Sequence, residues 1–168
     1  MMGMIGALWG VSGVLLLLGS AVYRLSPLAV DAFSYDFLWY HWASLLSVVF
    51  FMAYAEGYVG FQQRFSPRVA ARARYLIAYP RPAFILFAPL FCLGYFHATR
   101  RRKITSISLT AGIIVLVLLV RLLAQPWRGI IDAGVVVGLA WGIISLSLFG
   151  IQMFGAGEFS YSPEVPEG

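Results

Sequence analysis

The chain has 168 residues, 61% hydrophobic and 11% charged, with a formal net charge of +5 and a mean hydropathy of +0.84. So few charges leave too little polar surface to cover a water-soluble fold. The basic excess lies beside apolar runs, which points to anionic lipid headgroups as partners and away from nucleic acid.

The apolar runs are about 17 to 25 residues long, and as helices rising ~1.5 Å per residue each crosses a ~30 Å hydrocarbon layer. The ten-residue alternation of a membrane β-barrel is absent, and continuous runs such as Val14 to Leu18 and Ile113 to Val120 oppose it. The predicted fold is all-α: a polytopic transmembrane helical bundle of about five spans over residues 1–155. The lone cysteine, Cys92, allows no disulfide framework.

Span one is predicted from Met2 to Tyr23. No Lys or Arg precedes it, so it is expected to be retained rather than cleaved as a signal peptide. Gly3, Gly6, Gly10 and Gly13 form one smooth stripe along it, suited to close approach of another helix. A linker follows from Arg24 to Asp36, carrying Pro27. Phe37, Trp39, Tyr40 and Trp42 then make an aromatic cluster suited to a membrane interface at the head of span two, which runs to Gly60.

Residues 61–82 form the main polar interruption, and the pattern after Ser66 and Pro67 fits a short interfacial helix. Arg64, Arg68, Arg72 and Arg74 are its predicted headgroup contacts. Span three, Ala83 to Thr99, is short and interrupted by Pro89 and Gly94. Span four runs from Ile104 to Ala124, and span five from Ile130 to Phe154 with a second stripe at Gly134, Gly138 and Gly142. The acidic tail, 156–168, is expected to be disordered.

Five spans put the basic clusters Arg64 to Arg81 and Arg100 to Lys103 on opposite sides, against the positive-inside rule. Of the two five-span orientations, a cytoplasmic N-terminus in the cytoplasmic (inner) membrane fits better. The alternative is four spans with residues 75–96 as a re-entrant hairpin, which puts both clusters inside.

Ionisable groups within spans are costly and become functional candidates. Glu56, Arg121 and Asp132 fall in one leaflet under the five-span reading, either as a structural pair of Asp132 with Arg121 or Arg128, or as a relay through Glu56 and Asp132. His41 and His97 fall at similar depth in the opposite leaflet, where they could ligate a metal or hold a haem iron axially between them. Both also suit aromatic belts. No nucleophile elbow, metalloprotease helix or phosphate-cradling glycine loop is present. The glycine stripes and the shortage of intramembrane polar groups predict a non-enzymatic accessory or scaffold subunit, or a homo-oligomer. The alternatives are a small transporter or channel component using Glu56 and Asp132, and a haem-binding redox subunit using His41 and His97.

Overall fold

The computed structural model describes residues 1–155 and 161–165, and the regular structure among them is all helical, with no strand. Helix α1 runs Met2–Asp31 and continues as a 3₁₀ turn, Ala32–Ser34. It therefore absorbs most of the predicted linker. Pro27 removes only the N–H that would have reached back to Tyr23, and the helix passes through it.

The second long helix is continuous from Trp39 to Ala78. It consists of α2 (Trp39–Met52), a π-helical stretch (Ala53–Phe65) and α3 (Ser66–Ala78). The basic segment 61–82 is thus largely the far part of this long helix, and Pro67, at the second position of α3, does not break it.

Span three is not a continuous helix. It is two short pieces, α4 (Pro82–Leu86) and α5 (Ala88–Leu93), followed by a left-handed turn at Gly94. Along α1, Gly3 lies against Leu76 and Ile77, Gly6 against Ile85, Gly10 against Ala88 and Cys92, and Gly13 against Pro89. The chain goes inward to Pro89 and returns, because the rings of Phe96 and His97 lie 6.1 and 4.8 Å from that of Phe84. Pro89, the seventh residue of the predicted 83–99 span, and Gly94, five residues further on, leave no helical run long enough to cross.

Helix α6 (Arg100–Arg121) then leads to α7 (Trp127–Gln152). The described chain has four helices long and apolar enough to cross a membrane: Met2–Ser34, Trp39–Ala78, Arg100–Arg121 and Trp127–Gln152. In α7, Gly134 receives Val48 and Met52, Gly138 receives Glu56, and Gly142 receives Phe61, so α7 runs parallel to the second helix. Gly129 against Leu28 and Ala32, and Gly150 against Val11, make α7 antiparallel to α1. The π-helical stretch fits this packing: Glu56 and Phe61, five apart, meet glycines only four apart, and a wider turn brings residues five apart onto one face. Both glycine stripes are consumed inside the chain, so they no longer argue for an external partner.

The core joins Ala7, Val11 and Val14 of α1, Val69, Ala73 and Leu76 of α3, Phe91 and Cys92 of α5, and Leu146 of α7. Helix α6 stands aside. Its ends are fastened, by Arg102 and Ser106 at one end and Val120 at the other, while residues 111–119 are all exposed.

Candidate functional site

Three polar constellations lie along the bundle, and the first is at mid-depth. Glu56 lies in the first turn of the π-helical stretch and over Gly138, close to the midpoint of α7. A Cβ on Gly138 would sit 2.8 Å from its Oε2, so the missing side chain makes room for the carboxyl. That Oε2 is buried and has no hydrogen-bond partner among the described residues. Nearby Trp141 Nε1 donates to Gln62 Oε1 at 2.8 Å, and Trp141 packs on Gly57. A groove of about 370 Å³ continues from Gln62 and Trp141 past Ser145 to Gln152. Glu56 is therefore deeper than the span end assigned to it from sequence, because the helix continues past Gly60 instead of stopping there.

The second constellation lies where α1 ends and α7 begins. Asp132, buried, pairs with Arg128 one turn before it at 3.7 Å. Of the two arginines offered for Asp132, the structure selects this one; Arg121 is exposed at the last turn of α6. Gln125 Nε2 donates to Leu28 O and Asp31 Oδ2, and its Oε1 accepts from the N–H of Gly129, stitching α1 to α7. Asp132 is six residues, about 9 Å of helix rise, from Gly138. A direct Glu56 to Asp132 relay is therefore not assembled.

His41 belongs to this same end. It is buried, its Nδ1 accepts from the N–H of Leu38 at 3.2 Å, and its ring lies 5.0 Å from Trp127. His97 is at the other end, beside Tyr75 and Phe84. His41 and Tyr75 are separated by 34 residues of one helix, about 50 Å. The expectation of similar depth is corrected, and with it the shared metal or haem iron: two imidazoles this far apart cannot hold one ion. The error came from counting residues 83–99 as a full crossing. Among the described residues no three His, Cys, Asp or Glu side chains group as metal ligands.

The third constellation was missed in the sequence. Arg72, assigned there to headgroups, is 1% exposed and points into the fold. Its Nε donates to Phe91 O at 2.6 Å, Nη1 to Pro163 O at 2.9 Å, and Nη2 to Phe96 O at 2.9 Å and His97 O at 3.1 Å. Its guanidinium also lies 4.2 Å from the Phe91 ring centroid. One planar fork thus answers three carbonyls of the returning hairpin, of which Phe91 O also accepts from the Gly94 N–H at 3.0 Å, and one carbonyl of residues 161–165. His97 adopts φ 45°, an uncommon conformation for a side-chain-bearing residue, and its carbonyl is one of the four that accept from Arg72. The overlooked signal was the stripe Phe65, Val69, Arg72, Leu76, an apolar face with one arginine in it. Arg64 is exposed and Arg68 half-buried, with Arg68 Nε donating to Arg64 O.

Around this node, Ser106 Oγ donates to Leu93 O at 2.9 Å, and Tyr95 Oη bonds to Thr110 Oγ1, tying the hairpin to α6. Residues 161–165 cross the same region: the N–H of Thr99 donates to Glu164 O at 3.2 Å, and Val165 packs against the core. Part of the tail expected to be disordered is therefore seated here; the remainder of 156–168 lies outside the described residues.

Among the described residues these features define an all-helical fold with four helices long and apolar enough to cross a membrane, compatible with a membrane location. No protein-family model, curated protein or solved structure matches it.

Proposed function

We propose that this chain is a multi-pass protein of the cytoplasmic membrane, with four crossings, a re-entrant hairpin and both termini in the cytoplasm, and that it acts by associating with another transmembrane helix through α6. Charge supports the orientation. Nine of the twelve basic residues, Arg64 to Arg81 and Arg100 to Lys103, gather at the end that holds the hairpin and the N-terminus, while Arg24, Arg121 and Arg128 occupy the other.

The observation that carries the association is α6, fastened only at its ends. In lipid, helix contacts come from dispersion packing between smooth surfaces, and an isolated helix forgoes them. Ser108 and Gly112, one turn apart, make such a surface, and nothing lies within 4 Å of where a Gly112 Cβ would be. Isolation in mild detergent is expected to give a stoichiometric membrane-protein partner or a dimer of the chain, lost in Gly112→Leu. Self-crosslinking of Gly112→Cys in a Cys92→Ala background identifies the dimer. Only monomer, for the original chain and variant alike, would overturn the reading.

Glu56 supports a second reading, a small transporter or channel component in which this carboxyl binds a proton or cation. Its unpartnered Oε2 at mid-depth favours it, since an intramembrane carboxyl is retained only at a cost. Proton or cation flux into liposomes, abolished in Glu56→Gln, is the expected result; no flux above empty liposomes would remove it.

A further inference from the structure

The start of α6 is uncapped and strongly charged. No side chain caps it, and its first turn carries Arg100, Arg101, Arg102 and Lys103. The first N–H groups of a helix lack intrahelical acceptors and concentrate partial positive charge, which favours an anion. A helix start alone is common. Here a second observation points the same way: Arg102 is 8% exposed, yet its Nε has no hydrogen-bond partner among the described residues. A guanidinium so buried is costly unless an anion answers it.

The group beside it is Glu164, and it fits poorly. Its Oε2 lies 3.7 Å from Arg102 Nε, well beyond the ~2.7–2.9 Å of a charge-assisted hydrogen bond. Glu164 also adopts φ 49°, a left-handed conformation that a side chain disfavours. The strap's better contacts are through backbone: Pro163 O takes Arg72 Nη1 and Glu164 O takes the N–H of Thr99. The carboxylate is thus carried to the site by the chain and does not complete it. An anionic phosphate, larger and with more acceptor oxygens, could meet the guanidinium in a bidentate fork and the helix N–H groups together.

We propose that the first turn of α6 and the Arg102 guanidinium form a phosphate-binding site at the membrane surface, and that the carboxylate of Glu164, on the C-terminal strap of residues 161–165, is its internal competitor. The phosphate is that of an anionic lipid headgroup, since the site lies where four successive basic residues meet the start of an apolar helix. Displacing the Glu164 carboxylate removes the strap's ion pair with Arg102 and leaves its backbone contacts to Arg72 and Thr99, so lipid composition sets how tightly the tail is docked.

The site rests on the membrane reading above, and the two are tested separately. The full chain is reconstituted in nanodiscs of phosphatidylcholine containing phosphatidylglycerol, and co-purifying phosphatidylglycerol is counted by native mass spectrometry. A chain that does not enter nanodiscs defeats the membrane reading. Glu164→Gln removes the competitor at a side chain that is 39% exposed, so it preserves the fold. It is expected to raise retained phosphatidylglycerol several-fold, and adding Arg102→Gln is expected to cancel the rise. Equal retention in the original chain and Glu164→Gln overturns the site, as does a rise that survives Arg102→Gln in a folded double variant. A parallel arm with phosphatidylcholine alone and labelled inorganic phosphate distinguishes the sources. Phosphate retained there by Glu164→Gln, without any phosphatidylglycerol effect, overturns the lipid assignment in favour of soluble phosphate.

Discussion

Replacing Arg72 with Met keeps the length and the apolar stem but removes every donor. Four carbonyls, those of Phe91, Phe96, His97 and Pro163, then lose a partner, two of them on the turn that closes the hairpin. Hydrogen bonds to charged groups contribute about 1.5–3 kcal/mol each, but the turn lies near the end of the bundle and water recovers part of that. Breaking one side of a buried charged arrangement typically costs about 3–5 kcal/mol, and we expect Arg72→Met to fall in that range. Arg72→Lys offers three donors from one point instead of a planar fork, so it should retain part of the stability.

Cys92 supplies a local readout, since it is wholly buried in the same hairpin. If maleimide reacts only after the hairpin opens, a loss of 3–5 kcal/mol accelerates labelling by roughly two to three and a half orders of magnitude, at about 1.4 kcal/mol per tenfold. Detergent-titrated unfolding, followed by tryptophan fluorescence, checks the global cost. Labelling of Arg72→Met that rises less than about fivefold, equivalent to about 1 kcal/mol, would refute the assignment of Arg72 as the hairpin's anchor.

Gly3→Val should destabilise by about 1–3 kcal/mol, because its Cβ would lie 2.7–2.9 Å from the backbone of Leu76 and Ile77, which cannot rotate away. Gly19→Ala, with nothing within 4 Å, should be neutral or stabilising by up to about 1 kcal/mol in the same unfolding assay; equal effects would contradict the packing. Burial, then the charges of Arg81, Arg72 and Lys103, push the His97 imidazole below its ordinary pKa. Protonation near pH 6.5 then favours the unfolded chain, so stability falls as pH drops below that value toward the folded pKa. Melting midpoints from pH 8 to 5 should decline less in His97→Asn, which also tolerates the left-handed backbone; parallel curves would exclude His97 as the cause.

The helical class and the long apolar helices were legible because both depend on local composition: a run of Val, Leu and Ile long enough to span hydrocarbon needs no tertiary knowledge. The glycine stripes were legible as packing surfaces for the same reason, since four-residue spacing fixes a helix face. Their occupants were not. Gly3 to Gly13 receive α3 and the hairpin, and Gly134 to Gly142 receive α2 and its π-helical extension, pairings between residues far apart in sequence.

The candidate sites divide likewise. Asp132 with Arg128 was readable, being one helical turn apart. Glu56 was legible as a carboxyl within an apolar helix, but its depth in the bundle depended on whether the second helix stopped at Gly60 or continued to Ala78. Composition fixes whether a segment prefers lipid, whereas the depth and direction of each residue depend on what the returning chain presents to it. A helix face with one arginine can turn toward headgroups or inward. For Arg72 the choice was decided by four carbonyls of a hairpin and a tail that only folding brings to it.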